Sequence, residues 1–224
     1  MNYLEDKKYV TEIDTKYNES IVKLGELLHL SIKVADNLKN DEAKNYIKYG
    51  VGRRLSYLKE TTERFYNVAL LEINCKEVDD DTRFNQTALL SFFFFNVSGA
   101  LDNLAWVYAE ELEFNYKSHF EVSFKNNKFN KALPKAVVEV LSSHADWLKT
   151  HVKGFRDASA HRILPYIPPY IEIEGTSEKV FCSYYTHDFN TAPMVPFHPQ
   201  VLCDVMGLIE ILEVGLTSLK DLKE

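Results

Sequence analysis

Cysteine is scarce in this sequence. The chain has three cysteines among 224 residues, Cys75, Cys182 and Cys203, far apart and without the short spacings of metal-binding thiol pairs. An odd, sparse set in a chain without a secretory signal peptide indicates a reducing compartment, so we expect a cytoplasmic protein. The cysteines therefore predict neither a metal site nor a disulfide framework, and no cofactor is expected.

An excess of positive charge is also absent. The sequence has 26 lysines and arginines against 33 aspartates and glutamates, which gives a formal net charge of −7. A general nucleic-acid-binding protein would be basic overall, so the balance argues against that class. The overall net charge does not exclude a local basic cleft.

No long apolar run, internal repeat, low-complexity tract or clear linker is present. The most apolar stretch, residues 88–101, is about 14 residues long and contains Asn96, which is too short for a membrane span, so we expect no membrane partner. The G-x-S-x-G turn of serine hydrolases is missing as well. The chain therefore reads as one globular domain, residues 1–224.

What the sequence does have is helical periodicity in a composition that is 46% apolar. It predicts a mainly α fold, a four-to-five-helix up-and-down bundle with a small β-hairpin between the last two helices. Residues 1–20 are polar and predict a mobile arm or a frayed first turn. The predicted helices are Ile21 to Asn37, Asp41 (as N-cap) to Asn74, Thr82 or Asn85 to Leu112, Pro134 to Leu164 and Pro199 to Leu222.

Two segments interrupt the helical pattern. Residues 165–199 form a proline-punctuated loop, in which IEIEG and KVFCSYY around Gly175 predict a hairpin. Residues 113–133 form an insertion in which lysines, including Lys125, Lys128 and Lys131, alternate with aromatic residues. Such a segment either holds single-stranded RNA by charge and stacking, or is a loop or short hairpin that tucks its aromatics under itself.

The end of the fourth helix combines an arginine and a histidine with a sharp structural boundary. Arg156 precedes His161 by five positions, Asp157 and Arg162 lie beside them, and Pro165 stops the helix. Histidine is the natural proton carrier near neutral pH, and the planar guanidinium of arginine suits phosphate oxygens. Asp157, four residues before His161, is a candidate to orient the histidine ring.

The direction of these side chains follows from a helical wheel. On an uninterrupted α-helix with Leu148 at 0°, Arg156 falls near about 80°, on the flank of the core stripe. Asp157 and His161 fall near about 180° and 220°, on the far side, so Arg156 and His161 diverge by about 140°. A groove between two copies of the helix could collect both residues from each chain, which predicts a site at a homodimer interface.

The string R-D-A-S-A-H, residues 156–161, reads as R-x4-H near the end of a bundle helix and resembles the signature of the HEPN superfamily, the higher-eukaryote and prokaryote nucleotide-binding domains. The longer string RDASAHRILPYIPPY, with GALDNLAW upstream, resembles a group of stand-alone bacterial HEPN proteins. The resemblance covers most of the chain, and residues 113–133 and the hairpin look like additions.

The resemblance implies a four-helix bundle that dimerises and brings two R-x4-H motifs together. Many members of the family are metal-independent endoribonucleases in toxin–antitoxin, antiphage or RNA-processing systems, and others are inactive binding or scaffold modules. A homodimer, an RNA substrate and an antitoxin-like protein partner are the implied partners. RNA supplies its own nucleophile, the ribose 2′-OH, so Arg156 and His161 are the implied catalytic pair, and the product would carry a 2′,3′-cyclic phosphate.

Two other groups of polar residues have competing interpretations. Asp102 and Asn103 interrupt an apolar helix, where a carboxylate needs a partner. Asp102 either pairs with an arginine such as Arg53 or Arg54, or points to solvent, or supports the site together with Asn103. His144 and His151 lie seven residues apart without a third ligand at matching spacing, so we expect packing or surface roles and no metal.

Overall fold

The computed structural model describes residues 7–68, 79–161, 164–172, 179–180, 184–186 and 194–222. Its α-helices in chain order are α1 Lys7–Asn37, α2 Asp41–Asn45, α3 Arg53–Val68, α4 Asp80–Glu111, α5 Asn127–Asn130, α6 Lys135–Ser143, α7 Lys153–His161 and α8 Phe197–Asp221. The mainly helical fold that the periodicity predicts is thereby confirmed.

The long helix α4 is the centre of the bundle. It packs against α2, α3, α7 and α8, while α1 packs on α3 and α8, and α6 on α8. Phe94 of α4 stacks on Phe155 of α7 with ring centroids 4.5 Å apart. Among the described helices, α4 alone is long and apolar enough to cross a membrane, but half of its most apolar stretch is buried inside the bundle. This is the burial pattern of a core helix.

The first helix begins earlier than the sequence predicts. Residues 7–20 belong to α1, so the predicted mobile arm is wrong for this stretch. The reason is tertiary packing: Ile13 and Ser20 are buried, and Tyr17 stacks on Tyr66 of α3 with ring centroids 3.8 Å apart. A few buried residues among many charged ones give only a weak periodic signal.

Two of the predicted helices contain a π-helical segment. In the second helix, α2 continues through the π-helical residues Tyr46–Gly52 into α3. Its N-cap is Asn40 rather than the predicted Asp41, because the Asn40 side chain accepts hydrogen bonds from the backbone N–H groups of Glu42 and Ala43. The predicted end of this helix near Asn74 lies outside the described residues.

The fourth helix is built in the same way. After α6, the π-helical residues Trp147–Val152 lead into α7. A π-helical turn places one extra residue in the helix, so the side chains after it are rotated by about 100° relative to an uninterrupted α-helix. The wheel drawn for Arg156, Asp157 and His161 therefore does not describe their true directions.

The predicted hairpin between the last two helices is confirmed at its base. Strand β1, Ile171–Glu172, pairs antiparallel with β2, Lys179–Val180. Gly175, around which the hairpin is predicted to turn, lies outside the described residues. A second antiparallel pair, β3 Tyr184–Tyr185 with β4 Val195–Pro196, is not predicted from the sequence.

The insertion at residues 113–133 folds as turns and the short helix α5. Phe129 is buried and packs edge-on against Phe114, with ring centroids 5.1 Å apart. Lys128 lies over the Phe114 ring at 5.4 Å and within 3.5 Å of Glu121. The segment thus tucks most of its aromatic residues onto the bundle; Phe120 is the exception, with 92% of its surface exposed.

Candidate functional site

Arg156 and Asp157 form a half-buried ion pair on α7. The Arg156 Nε atom lies 3.3 Å from Asp157 Oδ1, and the two side chains are 34% and 25% exposed. The contact is close in distance but not aligned as a hydrogen bond, so the buried Arg156 N–H keeps an unused donor. The predictions that Asp157 faces outward and orients His161 are wrong, because Asp157 is half-buried and pairs with Arg156 instead.

His161 is the last residue of α7, and its side chain is exposed. No hydrogen bond or ion pair joins His161 to Arg156 within the described part of the chain. Arg162, the next predicted supporting residue, lies outside the described residues.

Arg156 and Asp157 belong to a larger group of charges. The positive charges of Arg156 and of Lys125, which belongs to the insertion, act on the carboxylate of Asp102 in α4. The Lys125 ammonium in turn interacts electrostatically with four charged residues: Lys153, Arg156, Asp102 and Asp157. We call these five residues, Asp102, Lys125, Lys153, Arg156 and Asp157, the Arg156 cluster. With all five ionised, three cations face two carboxylates, so one positive charge is left over in a protein that is acidic overall.

Asp102 and Lys125 are both exposed residues, but the protein atoms around their charged groups shift the pKa values of both. Burial raises the pKa of the Asp102 carboxyl, and the opposing effects of Arg156, Lys125 and Arg54 do not cancel it. Burial, and then the positive charges of Lys153 and Arg156, lower the pKa of the Lys125 ammonium. Asp102, Lys125 and Lys153 line a small pocket of about 50 Å³, which explains the desolvation. Asp102 is exposed and makes no ion pair within 4.0 Å among the described residues, so the structure favours the expected position facing solvent over direct pairing with Arg53 or Arg54.

Asn103 has a different role from its neighbour Asp102. Its Oδ1 accepts a hydrogen bond of 2.9 Å from Arg54 Nε, and Arg54 Nη1 also reaches Asn96 Oδ1 at 3.3 Å. Asn103 therefore fixes Arg54 of α3 rather than contacting Arg156. Lys153 is a charged residue near the site that the sequence does not indicate, because only the packing of α4 against α7 reveals it. Arg54 is expected from the sequence as a partner of Asp102, but its hydrogen bond to Asn103 is not.

The other two lysines of the predicted RNA-binding set do not act on the Arg156 cluster. Lys128 is engaged with Phe114 and Glu121 inside the insertion. Lys131 is exposed and is not among the charges acting on Asp102 or Lys125. Of the three predicted lysines, the structure brings Lys125 alone to the Arg156 cluster.

The two histidines of the fourth helix each bind a carboxylate of α8. His144 Nε2 lies 2.9 Å from Glu210, and His151 Nε2 lies 3.0 Å from the fully buried Asp204. Trp147 Nε1 also donates to Asp204, at 2.7 Å. These pairs join the fourth helix to α8, and no group of three or more metal-ligating side chains occurs among the described residues.

Comparisons with models of protein families, with curated proteins and with solved structures give no match. The resemblance to the HEPN superfamily therefore rests on the motif residues of this chain alone.

The geometry at the end of α7 suits a phosphodiester. A guanidinium side chain that is 34% exposed, in a cluster with one excess positive charge, can bind an anion and stabilise added negative charge. Five residues further along the same helix, about 7.5 Å of axial rise, the exposed His161 can exchange a proton with a bound ligand. Anion binding and proton transfer are therefore available at one end of one helix.

Proposed function

We propose that the protein is a metal-independent endoribonuclease of the HEPN type, with a composite site at the interface of two copies. The observation that carries the proposal is the arrangement on α7: Arg156 is held by Asp157 within a cluster of excess positive charge, and the exposed His161 follows at the helix end. Together with the R-x4-H resemblance, this arrangement supplies the two functions that RNA cleavage needs.

In the proposed reaction the ribose 2′-OH attacks the adjacent phosphorus. His161 takes the proton of this hydroxyl, and Arg156 stabilises the charge that builds on the phosphate oxygens. The bond from phosphorus to the 5′-oxygen breaks, and the leaving oxygen takes a proton from water. The products are an RNA with a 2′,3′-cyclic phosphate and an RNA with a 5′-OH, so DNA, which lacks the 2′-OH, is not cleaved.

The deciding experiment compares RNA cleavage by the wild type, His161→Ala and Arg156→Ala in the presence of EDTA. We expect His161→Ala to lower the cleavage rate by about 10²–10⁴-fold, the usual contribution of general acid–base catalysis. Arg156→Ala should cost about 10²–10³-fold through lost charge stabilisation. End-group analysis of the products would detect the 2′,3′-cyclic phosphate.

Matched controls come from exposed residues of the same types. His29 of α1 and Arg64 of α3 are exposed, so His29→Ala and Arg64→Ala should cleave RNA at the wild-type rate. Unchanged cleavage by both motif variants, or cleavage of DNA, would overturn the assignment. RNA binding without turnover by the wild type would point instead to a non-catalytic HEPN-like binding or scaffold module.

The biological setting follows from the same resemblance and is part of the proposal. Stand-alone HEPN ribonucleases suggest a toxin–antitoxin or antiphage role, with an antitoxin-like protein as the partner that restrains cleavage. Toxicity of the expressed wild type that is lost in His161→Ala would support this setting.

A further inference from the structure

A second concave site lies beside the Arg156 cluster on α4. It is a cleft of about 600 Å³ between α4, the π-helical segment of residues 46–52 and the start of α3. We call it the Arg54 cleft. The residues that carry its chemistry are Tyr49, Arg53, Arg54, Tyr57, Phe92 and Phe95. Its volume falls in the range of small-ligand sites, about 300–1,000 Å³.

The charge of Arg54 has no close carboxylate partner. Its guanidinium donates to Asn103 Oδ1 at 2.9 Å, and its Nη1 to the Phe95 carbonyl and Asn96 Oδ1, both at 3.3 Å. All three acceptors are neutral, and no carboxylate of the described residues lies within 4.0 Å of Arg54. A half-buried cation held only by neutral groups favours an anionic ligand, because the ligand would supply the missing counter-charge.

The position of Arg54 is built into the backbone around it. A side chain at Gly99 of α4 would collide with the Arg54 guanidinium. A Cβ at Gly50 would lie 2.6 Å from Asn103 Cγ, so the glycine lets Asn103 approach the π-helical segment and hold Arg54. π-Helical turns inside α-helices are frequent at functional sites. Gly50 and Gly99 make room for Asn103 and Arg54, and the side chains of Asn96 and Asn103 then hold the Arg54 guanidinium in the cleft.

The rest of the lining is aromatic and exposed. Tyr49 is 64% exposed and lies under the Arg53 guanidinium at 5.8 Å. Tyr57, Phe92 and Phe95 are between 42% and 44% exposed, and the Tyr57 and Phe92 rings are 5.6 Å apart. Exposed aromatic faces next to arginines are the surface on which nucleic-acid bases stack while their phosphates meet positive charge.

We propose that the Arg54 cleft binds a nucleotide unit, with the base against the aromatic side chains and the phosphate on Arg53 and Arg54. Glu42, which also lines the cleft, can accept hydrogen bonds from sugar hydroxyls or base amino groups. An apolar protein partner would leave the charge of Arg54 without compensation, so the cleft favours the nucleotide. The nucleotide comes either free from solution or as part of single-stranded RNA.

The cleft and the Arg156 cluster are contiguous. Asn103 lines the Arg54 cleft and Asp102, the preceding residue of α4, belongs to the cluster. Arg54 also acts on the charge of Asp102, so the two sites share an electrostatic environment. An RNA strand could therefore place one nucleotide in the cleft while a phosphate lies at the cluster. The binding proposal itself does not require cleavage.

The test measures binding without turnover. Fluorescent N-methylanthraniloyl-ADP and a fluorescein-labelled 2′-O-methyl oligonucleotide of about eight residues serve as probes. Neither can be cleaved, because the first has no internucleotide phosphodiester and the second has no free 2′-OH within the chain. We expect the wild type to bind at least one of them, with an affinity that falls as salt rises. Binding of both probes indicates that a free nucleotide suffices, and binding of the oligonucleotide alone indicates single-stranded RNA.

The variants separate the cleft from the rest of the surface. Arg53→Gln and Tyr49→Ala change exposed side chains and should each weaken binding about tenfold, the usual effect of losing one stacking or phosphate contact. Arg64→Gln, on an exposed part of α3 outside the cleft, should bind as the wild type does. Circular dichroism would check that each variant is folded.

The proposal is overturned if the wild type binds neither probe, or if both cleft variants bind as tightly as the wild type. It is also overturned if the cleft variants are monomers where the wild type is a dimer, because the cleft would then be an interface between copies. Binding that depends on Arg53 and Tyr49 in a protein that cleaves no RNA would leave this proposal standing and remove the ribonuclease. RNA cleavage by the wild type, together with unchanged probe binding by both cleft variants, would leave the ribonuclease standing and remove the cleft proposal.

Discussion

Asp102 is a carboxylate that is destabilised by its own surroundings. The residue is exposed, yet the protein atoms packed around its carboxyl raise the pKa of that group more than Arg156, Lys125 and Arg54 lower it. A raised pKa means that the folded state prefers the protonated acid, so the ionised group opposes folding at neutral pH.

The prediction at this residue is that Asp102→Asn stabilises the protein at pH 7, by less than about 1 kcal/mol because part of the residue still reaches solvent. Below the ordinary pKa of aspartate, about 3.9, the carboxyl is protonated in both states and the advantage should vanish. It should develop as the pH rises through the raised pKa. Urea unfolding of both proteins at pH 3.5 and pH 7 measures it.

Asp79 provides a control of opposite sign. It caps α4, and hydrogen bonds from the Thr82 backbone N–H and side chain lower the pKa of its carboxyl. Its stabilising contribution is therefore present above the ordinary aspartate pKa and is lost as the pH falls through the lowered one. Asp79→Ala should destabilise at pH 7 and matter less in acid. If Asp102→Asn also destabilised the protein at pH 7 and mattered less in acid, the nearby cations would stabilise the Asp102 carboxylate more than desolvation destabilises it.

At the residue scale the sequence indicates which residue types matter but not how they meet. Arg156 and His161 stand out because a helix stop, an anion-binding group and a proton carrier coincide. The pairing of Arg156 with Asp157, and the approach of Lys153 and Lys125, depend on the direction of α7, which the sequence does not reveal. The sequence indicates Arg54 as a partner of Asp102, but it does not reveal the hydrogen bond from Arg54 to Asn103, because the two residues lie 49 positions apart in the chain.

At the scale of elements, glycines inside helices distinguish open surface from close packing. Gly215 of α8 lies against α4: a Cβ there would be 2.7 Å from a methyl carbon of the buried Leu104. The Gly215 carbonyl also accepts a 2.7 Å hydrogen bond from the Tyr108 hydroxyl of α4. Gly25 of α1 has nothing within 4 Å of the same position. Both glycines lie in helices, but Gly215 is closely packed against α4 and Gly25 faces open space.

We therefore predict opposite effects of one substitution. Gly25→Ala should stabilise the protein by up to about 1 kcal/mol, because alanine loses less backbone entropy than glycine in a helix. Gly215→Ala should destabilise it by about 1–2 kcal/mol, because overpacking at the contact between α8 and α4 outweighs that gain. Urea unfolding of the two variants beside the wild type checks the prediction. Equal stabilisation by both would mean that α8 can move away from α4 without cost.

The elements also show where sequence periodicity stops being informative. Apolar spacing identifies the helix cores because packing against α4 requires it. It misses the π-helical segments at residues 46–52 and 147–152, since one extra residue in a turn leaves the composition unchanged and shifts the phase only afterwards. Those segments direct Arg54 and Arg156, so the sequence predicts the bundle better than the site.

At the scale of the whole molecule, the proposed site should need two copies of the chain. His161 is exposed at the end of α7 and makes no contact with Arg156 in its own chain among the described residues. The protein should therefore be a dimer in solution, as sedimentation or light scattering would show. Dimerisation alone does not tell which chain supplies which residue, and a mixing experiment does.

In the mixing experiment Arg156→Ala and His161→Ala proteins, each inactive, are unfolded together and refolded as a one-to-one mixture. If each site takes Arg156 from one copy and His161 from the other, a mixed dimer has one complete site and one empty one. About half of the dimers are mixed, so about a quarter of the wild-type activity should return. If both residues of a site came from the same chain, no complete site could form and the mixture would stay inactive. As a control, His29→Ala and Arg64→Ala proteins are mixed and refolded in the same way. Their cleavage activity measures how much active protein the refolding recovers. Return of activity would show that the arginine and the histidine of one site belong to different chains.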